Sequence, residues 1–144
     1  SEIDVVSPRN MAWIGIQGWV ADDQWSEIVK NGAKIYTHKD MWALGAREVA
    51  RRAAEHVLEG CDYLYVSLDI DCIDAGFAPG TGSVVIGSVT PRMYLEVVEE
   101  LSRYPVLSFD LTEVAPALDY TGRTPRMAAE AVLSFIAPKV FEVH

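Results

Sequence analysis

Apolar and polar residues follow two different spacings along this chain, one typical of amphipathic helices and one of buried strands. The clearest helical spacing runs from Gly45 to Glu59, where apolar residues recur every three or four positions. Its apolar stripe comprises Ala46, Val49, Ala50, Ala53, Ala54, Val57 and Leu58. The charged residues lie off this stripe, and Gly60 is typical of a helix end. The segment is therefore predicted to be a helix with one face against a core.

Three further helices are predicted from their start signals and apolar positions. Thr90 and Thr124 each precede a proline, so each is expected to cap a helix whose first residue is that proline. A shorter helix is expected to begin at Asp22 or Asp23 and to end at Gly32. The positions predicted to face the core are Trp25, Ile28 and Val29 in the short helix, Tyr94, Val97, Val98 and Leu101 after Thr90, and Ala128, Ala131, Val132, Phe135 and Ile136 before a stop at Pro138.

Four short apolar runs lie between these helices and read as strands. They are residues 11–18, 33–37, 63–71 and 105–110. The run from Tyr63 is nearly free of polar residues, which is typical of a strand buried on both faces. Strands that alternate with helices predict an α/β fold with a parallel sheet and helices on both of its faces. No linker divides residues 1–144, so a single domain is expected.

Acidic residues follow two of the predicted strands at their carboxyl ends. Asp69 and Asp71 end the third run, and Glu113 comes just beyond the fourth. Because side chains alternate along a strand, Asp69 and Asp71 are expected on one side, with Cα atoms roughly 6–7 Å apart. Ligands of open α/β sheets bind at this end of the strands, and carboxylate oxygens suit Mg²⁺, Ca²⁺ or Mn²⁺. The pair alone is equally compatible with a solvated strand end that caps the next turn.

Charge and composition narrow the classes of partner. The formal net charge of −9 argues against nucleic acid and anionic membranes, and it is compatible with a cationic substrate. No apolar run approaches the length of a membrane span, and no signal peptide is visible, so the predicted compartment is the cytoplasm. Cys61 and Cys72 match neither a disulfide framework nor a zinc spacing.

The longer sequence around the acidic pair resembles the ureohydrolase signature of the arginase and agmatinase family. That resemblance is carried by Ser67-Leu68-Asp69-Ile70-Asp71, by Asp74 and by Ala78-Pro79-Gly80-Thr81-Gly82. Glu113 likewise stands in an Asp-x-x-Glu-Val-x-Pro context similar to that of the family. The resemblance implies an arginase-deacetylase-type three-layer sandwich, of which residues 1–144 match the carboxyl-terminal half.

The other half of the family's site has no counterpart in this sequence. Family members carry a Gly-Gly-Asp-His segment and an Asp-x-His-x-Asp segment, whereas His38, His56 and His144 lie in neither context. Further metal ligands are therefore expected from a missing amino-terminal segment or from a companion polypeptide. The resemblance also implies a homo- or hetero-oligomer, commonly a trimer or hexamer.

The resemblance implies hydrolysis of a guanidino or amidine group at a site with two Mn²⁺ ions, or Ni²⁺ in some members. Asp69 is expected to bridge both ions, Asp71 to bind one, and Glu113 to pair with the guanidinium group of the substrate. Asp74 is expected to hold the following loop or to support a ligand. Water is a poor nucleophile, and two divalent ions sharing it supply reactivity near neutral pH.

Two positions bear on the substrate, and they leave alternatives open. Gln17 stands where the family usually has Arg, and Gly18 replaces an Asp that contacts an α-amino group in true arginases. An agmatinase-like enzyme for a non-amino-acid guanidine is therefore predicted, which the Pro79–Gly82 loop also favours. The alternatives are a formiminoglutamase-type hydrolase and a catalytically silent partner subunit. His38 is interpreted as a surface histidine at a strand end, with a metal or substrate contact as its alternative.

Overall fold

Parallel strand pairs and the helices between them make up the fold. The computed structural model describes residues 6–17 and 22–141, with only the backbone at residues 22–25. The strands are Ala12–Ile16 (β1), Lys34–Thr37 (β2), Leu64–Asp69 (β3) and Val106–Thr112 (β4). The helices are Asp22–Lys30 (α1), His38–Leu44 (α2), Ala46–Leu58 (α3), Pro91–Leu101 (α4) and Arg123–Val140 (α5). Short 3₁₀ helices lie at Pro8–Asn10, Ile70–Cys72 and Pro116–Leu118.

The strand pairing confirms the predicted parallel α/β class. β1 pairs in parallel with β2, and β3 pairs in parallel with β4. Each pair is connected by helices, as parallel strands require. Among the described residues the four strands form two separate two-stranded ladders. All four predicted strands are therefore present, and their carboxyl ends can carry a common site.

One face of the β3–β4 ladder meets the helices and forms the core. Leu64, Val66 and Leu68 of β3 are buried, as is the predicted stripe of α3 from Ala46 to Ala54. On β4, Phe109 contacts Phe135 of α5 with ring centroids 4.6 Å apart. Burying an aliphatic or aromatic side chain of this size stabilises the fold by about 1.5–3 kcal/mol. This face therefore holds β3, and with it Asp69, against the helices.

The opposite face of β3 is exposed, contrary to the prediction of a strand buried on both sides. Tyr65 is 66% exposed, and Ser67 is exposed as well. The hydroxyls of both side chains donate to the carboxylate of Asp110 on β4. We call Tyr65, Ser67, Ser108 and Asp110 the open sheet face, because register pairs these residues on one side. The alternation appears because, among the described residues, helices cover only one side of the ladder.

The last helix begins and ends at residues other than those predicted. Its N-cap is Gly122 with φ 68°, and Pro138 lies inside the helix instead of stopping it. Thr124 does not cap the helix, since its hydroxyl oxygen accepts a hydrogen bond from the Gly80 N–H at 2.8 Å. A proline so near the carboxyl end removes a single hydrogen bond, and the helix tolerates this. Thr90 caps α4 as predicted, accepting from the Met93 N–H at 3.3 Å.

The first half of the chain contains a helix that was not predicted. Thr37 and Asp40 form a capping box, with the Thr37 N–H donating to Asp40 Oδ2 at 2.7 Å and the Asp40 N–H donating to Thr37 Oγ1 at 3.2 Å. His38 directly follows the end of β2 at Thr37, as predicted, and it is the first residue of α2. In α1, Val29 is 54% exposed instead of facing inward, whereas Gly32 has the positive φ expected after a helix.

One further core position predicted for the helices is wrong, and three other predicted positions lie outside the described side chains. Ile136, predicted to face the core, is exposed on α5, while Phe135 beside it is buried. The side chains of Asp22, Asp23 and Trp25 lie outside the described residues. No helix in residues 6–17 and 22–141 is long and apolar enough to cross a membrane.

Candidate active site

β3 ends at Asp69, and the chain then turns into a 3₁₀ helix. The Asp71 N–H donates to Asp69 Oδ1 at 3.0 Å, so the Asp69 side chain caps this turn. The prediction that strand alternation places both carboxylates on one side is therefore wrong, since Asp71 lies in the turn Ile70–Cys72. The two acids stay close for a different reason, which is the direct contact between the Asp69 carboxylate and the Asp71 backbone.

The three predicted site residues share one electrostatic environment. Asp69 pairs in register with Thr112, so Glu113 follows β4 directly beyond the level of Asp69. Burial raises the pKa of Asp71 to about 6, with smaller contributions from the negative charges of Asp69 and Glu113. Carboxylates that lie close together repel one another when all of them are ionised, and a bound divalent cation relieves that repulsion. The carboxyl ends of β3 and β4 thus bring together the acids that the sequence singled out.

We expect ionisation of Asp71 to lower the stability of the metal-free chain as the pH rises from about 4 to about 6. The folded chain holds the Asp71 proton more tightly than the unfolded chain, so deprotonation in this window favours unfolding. Because Asp71 is partly exposed, we expect a loss of about 1–2 kcal/mol in the free energy of unfolding. Denaturant titrations between pH 4 and pH 7 in the presence of a chelator measure it.

Asp71→Asn is the control for that titration. The variant should be more stable than the parent at pH 7 and equally stable at pH 4, because it removes the charge that is unfavourable in the folded chain. Carboxyls with lowered pKa values, such as Glu48 and Asp119, add stability as the pH rises toward about 5, but they do so alike in both proteins, so the difference between the two curves reports Asp71. If the free energies of unfolding of the two proteins changed in parallel with pH, the charge of Asp71 would not destabilise the folded chain.

Glu113 has a backbone conformation that is unusual for a residue with a side chain. Its φ is +64°, the only positive value among the described residues other than glycine. For an L-residue this conformation costs about 1–2 kcal/mol, and such strain clusters at functional sites. Two residues on, the Ala115 N–H donates to the Gly80 carbonyl at 2.7 Å, which anchors this segment to the Pro79–Gly82 loop. Nothing in the one-dimensional pattern indicated the strain.

Asp74 holds the loop that follows the acids, one of its two predicted roles. Its Oδ1 accepts from the Gly76 N–H at 2.8 Å, and its Oδ2 accepts from the Gly87 N–H at 2.5 Å. These hydrogen bonds lower the pKa of Asp74, so the carboxylate remains charged and keeps its backbone partners. The two ends of the loop between Ala75 and Gly87 are therefore tied to a single side chain.

Two residues without a carboxylate, Cys72 and Gln17, contact the turn that carries Asp69 and Asp71. The Cys72 thiol donates to the Asp69 carbonyl at 3.2 Å. Burial, together with the charges of Asp69 and Asp71, raises the pKa of this thiol to about 12. It therefore stays protonated at neutral pH and is a poor metal ligand. Gln17 Nε2 donates to the Cys72 carbonyl at 3.2 Å, a contact that sequence reasoning did not anticipate.

The histidines do not join the acids in the part of the chain that the structure describes. His38 contacts the Trp42 ring edge-on, with centroids 5.0 Å apart, and His56 lies on α3. His144 and Gly18 lie outside the described residues. Within residues 6–17 and 22–141, no group of three or more His, Cys, Asp or Glu side chains could hold a metal ion. Asp69 and Asp71 fit Mn²⁺ in donor chemistry, while a complete ligand set needs further residues.

The sequence model of the arginase family matches residues 1–137. The chain belongs to the arginase family. This membership confirms the resemblance carried by the Ser67–Asp71 motif, and family members are hydrolases of amidino C–N bonds. The chain spans less than half the length of the curated relatives it matches.

Individual relatives of this arginase-family chain differ in their named activities. Guanidinobutyrase of Pseudomonas aeruginosa is 30% identical over 138 residues, which cover 94% of this chain and 42% of that protein. Formimidoylglutamase of Halobacterium salinarum is 39% identical over 93 residues, which cover 63% of this chain and 30% of that protein. The solved arginase of Bacillus caldovelox superposes with a TM-score of 0.84 at 29% identity, over 94% of this chain and 46% of that one. The fold is therefore of the arginase type.

Proposed function

We propose that this chain forms part of a two-metal hydrolase that releases urea from a guanidino compound without an α-amino acid group. Asp69 and Asp71 hold two Mn²⁺ ions, or Ni²⁺, together with ligands from another segment, and Glu113 binds the guanidinium group. The observation that carries the proposal is the convergence of these acids at the ends of β3 and β4, where burial and, to a smaller extent, the charges of Asp69 and Glu113 raise the Asp71 pKa.

Each residue has a defined task in this proposal. Bound divalent ions supply a water of lowered pKa and a Lewis acid for the substrate. The Asp69 carboxylate at the end of β3 and the Asp71 carboxylate in the following turn would hold these ions, with Asp69 as the proposed shared ligand. Glu113 accepts two N–H groups of the guanidinium in a charge-assisted contact and so orients the carbon that is attacked. Its strained backbone, between β4 and the Pro79–Gly82 loop, limits the directions in which the carboxylate can point.

The open sheet face supports the need for a companion segment. Parallel sheets are found with both faces covered, whereas Tyr65 on this face is 66% exposed, and Ser67 and Ser108 are exposed as well. The relatives are more than twice as long as the matched region, so they contain enough additional chain to cover such a face. We therefore propose that a companion polypeptide or an amino-terminal segment packs there and brings the missing metal ligands.

The substrate class is inferred from the absence of an amino-acid contact. Gly18 stands where true arginases are expected to have an Asp that contacts the α-amino group, and Gln17 stands where the family usually has Arg. The Pro79–Gly82 loop is of the agmatinase type, and one relative is named guanidinobutyrase. These observations favour agmatine or a guanidino acid such as guanidinobutyrate over arginine.

A second candidate is hydrolysis of a formimino group, as in formiminoglutamase. The relative with 39% identity over 93 residues is named formimidoylglutamase. In a formimino substrate the carbon of the cleaved bond carries a hydrogen atom in place of the third nitrogen of a guanidino group. The same acids serve this reaction, because a formimino group is also a cationic amidine. The product distinguishes the candidates, since this bond releases formamide instead of urea.

Calorimetry of the isolated chain with Mn²⁺ tests the need for the companion. We expect weak binding, because two carboxylates leave most of the roughly six ligand positions to water. Mass spectrometry and amino-terminal sequencing of the native material should show a segment with an Asp-x-His-x-Asp sequence. Tight binding of two ions by the isolated chain would contradict the split site.

The complete assembly is then assayed with agmatine, guanidinobutyrate, free guanidine, arginine and formiminoglutamate. Urea from one of the first three compounds is the expected result, and formamide from the last favours the second candidate. An assembly that binds its metals yet hydrolyses none of these compounds would identify this chain as a catalytically silent subunit.

A further inference from the structure

A single backbone carbonyl anchors the turn that carries the acids. The Cys72 carbonyl oxygen, at the end of the turn Ile70–Cys72, accepts from Gln17 Nε2 at 3.2 Å and from Ser88 Oγ at 2.8 Å. Ser88 is 3% exposed, so its hydroxyl has no access to solvent as an alternative partner. A carbonyl oxygen has two lone pairs, and these two donors use both of them.

The two donors come from different parts of the fold. Gln17 follows β1 of one ladder, and Ser88 precedes α4, whereas Cys72 follows β3 of the other ladder. Because no described strand pairing joins the ladders, the Gln17 contact is a direct link from the end of β1 to the acidic turn. The position of that turn therefore depends on side chains that touch neither Asp69 nor Asp71.

The backbone of β1 is shaped to direct Gln17 to this carbonyl. The β1–β2 register shifts between Ile14 and Ile16, and Gly15 between them has φ +79°. An added Cβ at Gly15 would lie 3.3 Å from Val89 and 3.7 Å from the Cys72 Cβ, so the strand passes close to the turn. Such irregularities re-aim the side chains that follow them.

We propose that Gln17 is a positioning residue for the metal-binding carboxylates, acting with Ser88 through the Cys72 carbonyl. The inference rests on the proposed function, because it assumes that Asp69 and Asp71 bind metal. Removing one donor leaves the Cys72 carbonyl with a single hydrogen bond, so this end of the turn samples more conformations and the acids are held less well for the ions. Residues that orient metal ligands in this way typically change metal affinity by about 10- to 100-fold.

The first experiment follows backbone amide exchange in the full 144-residue chain without metal. In Gln17→Ala we expect the Asp71 and Ile73 amides, which close the turn, to exchange about five- to tenfold faster. Amides of β3 should be unaffected. Gln17→Met, which keeps the length of the side chain but has no donor, separates loss of the hydrogen bond from loss of packing.

Asn10→Ala is the matched control. Its Nδ2 donates to the Val57 carbonyl at 3.2 Å, a bond of the same type and length that is remote from the acids. This variant should lower stability by a similar amount without changing exchange at Asp71 or Ile73. Unchanged exchange at the turn in both Gln17 variants would overturn the proposed link.

The second experiment measures Mn²⁺ affinity of the same chains from the EPR signal of free Mn²⁺. We expect Gln17→Ala, Gln17→Met and Ser88→Ala each to bind Mn²⁺ at least about tenfold more weakly, and Asn10→Ala to match the parent. A faster-exchanging turn with unchanged Mn²⁺ affinity would overturn the positioning role and leave the proposed function intact. A parent that binds no Mn²⁺, alone or with its companion, would overturn both.

Discussion

We expect Glu113→Gln to lower kcat/KM for the proposed urea release by about 30- to 1,000-fold, a loss of roughly 2–4 kcal/mol in transition-state stabilisation. The variant keeps the size of the side chain but replaces a carboxylate with a neutral amide. One acceptor oxygen becomes an NH₂ donor that faces the N–H donors of the guanidinium group. The measurement is steady-state kinetics of the complete assembly with its preferred guanidine.

Metal content and stability are the controls for this variant. Glu113 is exposed and is assigned to the substrate and not to the ions, so Glu113→Gln should keep both unchanged. Glu113→Gly should be inactive yet more stable by about 1 kcal/mol, because glycine adopts the +64° φ without strain. A Glu113→Gln assembly as active as the parent would remove Glu113 from the catalytic site.

We expect Asp69→Asn to reduce metal occupancy and activity more than Asp71→Asn does. Asp69 is assigned to both ions and Asp71 to one, so the first change removes twice as many metal contacts. We expect each to exceed the roughly 10- to 100-fold loss of affinity typical of residues that only orient a ligand. Elemental analysis of the purified assemblies, together with kcat, gives the order of the two variants.

The local structure makes this comparison informative. Asn at position 69 retains a carbonyl oxygen that can accept from the Asp71 N–H, so the turn should persist while the charge is lost. Asp71→Asn should raise the stability of the metal-free chain at pH 7, which separates loss of metal from loss of folding. Two variants that both purify with full metal content would show that the ligands are elsewhere.

The helix and strand positions were largely predictable because they depend on local spacing. The α3 stripe and the Thr90 cap are local features, and both are present in the structure. Thr124 shows the limit of this reasoning. It precedes a proline just as Thr90 does, yet the N-cap of its helix is Gly122, and Thr124 already lies within the helix. Its hydroxyl is used by Gly80, a residue 44 positions away, and no local pattern reports such a contact.

The candidate site likewise has some features that the sequence predicted and others that it could not predict. The Ser67–Asp71 motif and the Glu113 context suffice to recognise the family, because the residue types and their spacing are visible in the chain. The position of Asp71 in a turn, the left-handed backbone of Glu113 and the link from Gln17 to Cys72 were not predictable. Each of these features depends on where a second segment of the chain lies.

The sequence by itself therefore determined the parallel α/β class, the family and the acids that can carry the chemistry. These follow from residue types at short range, where spacing alone decides which side chains share an element. The tertiary structure alone decided that Asp69, Asp71 and Glu113 share one environment and that the open sheet face is left exposed by the residues the structure describes. Charge interaction, burial and strain depend on distances between segments far apart in sequence, and folding sets those distances.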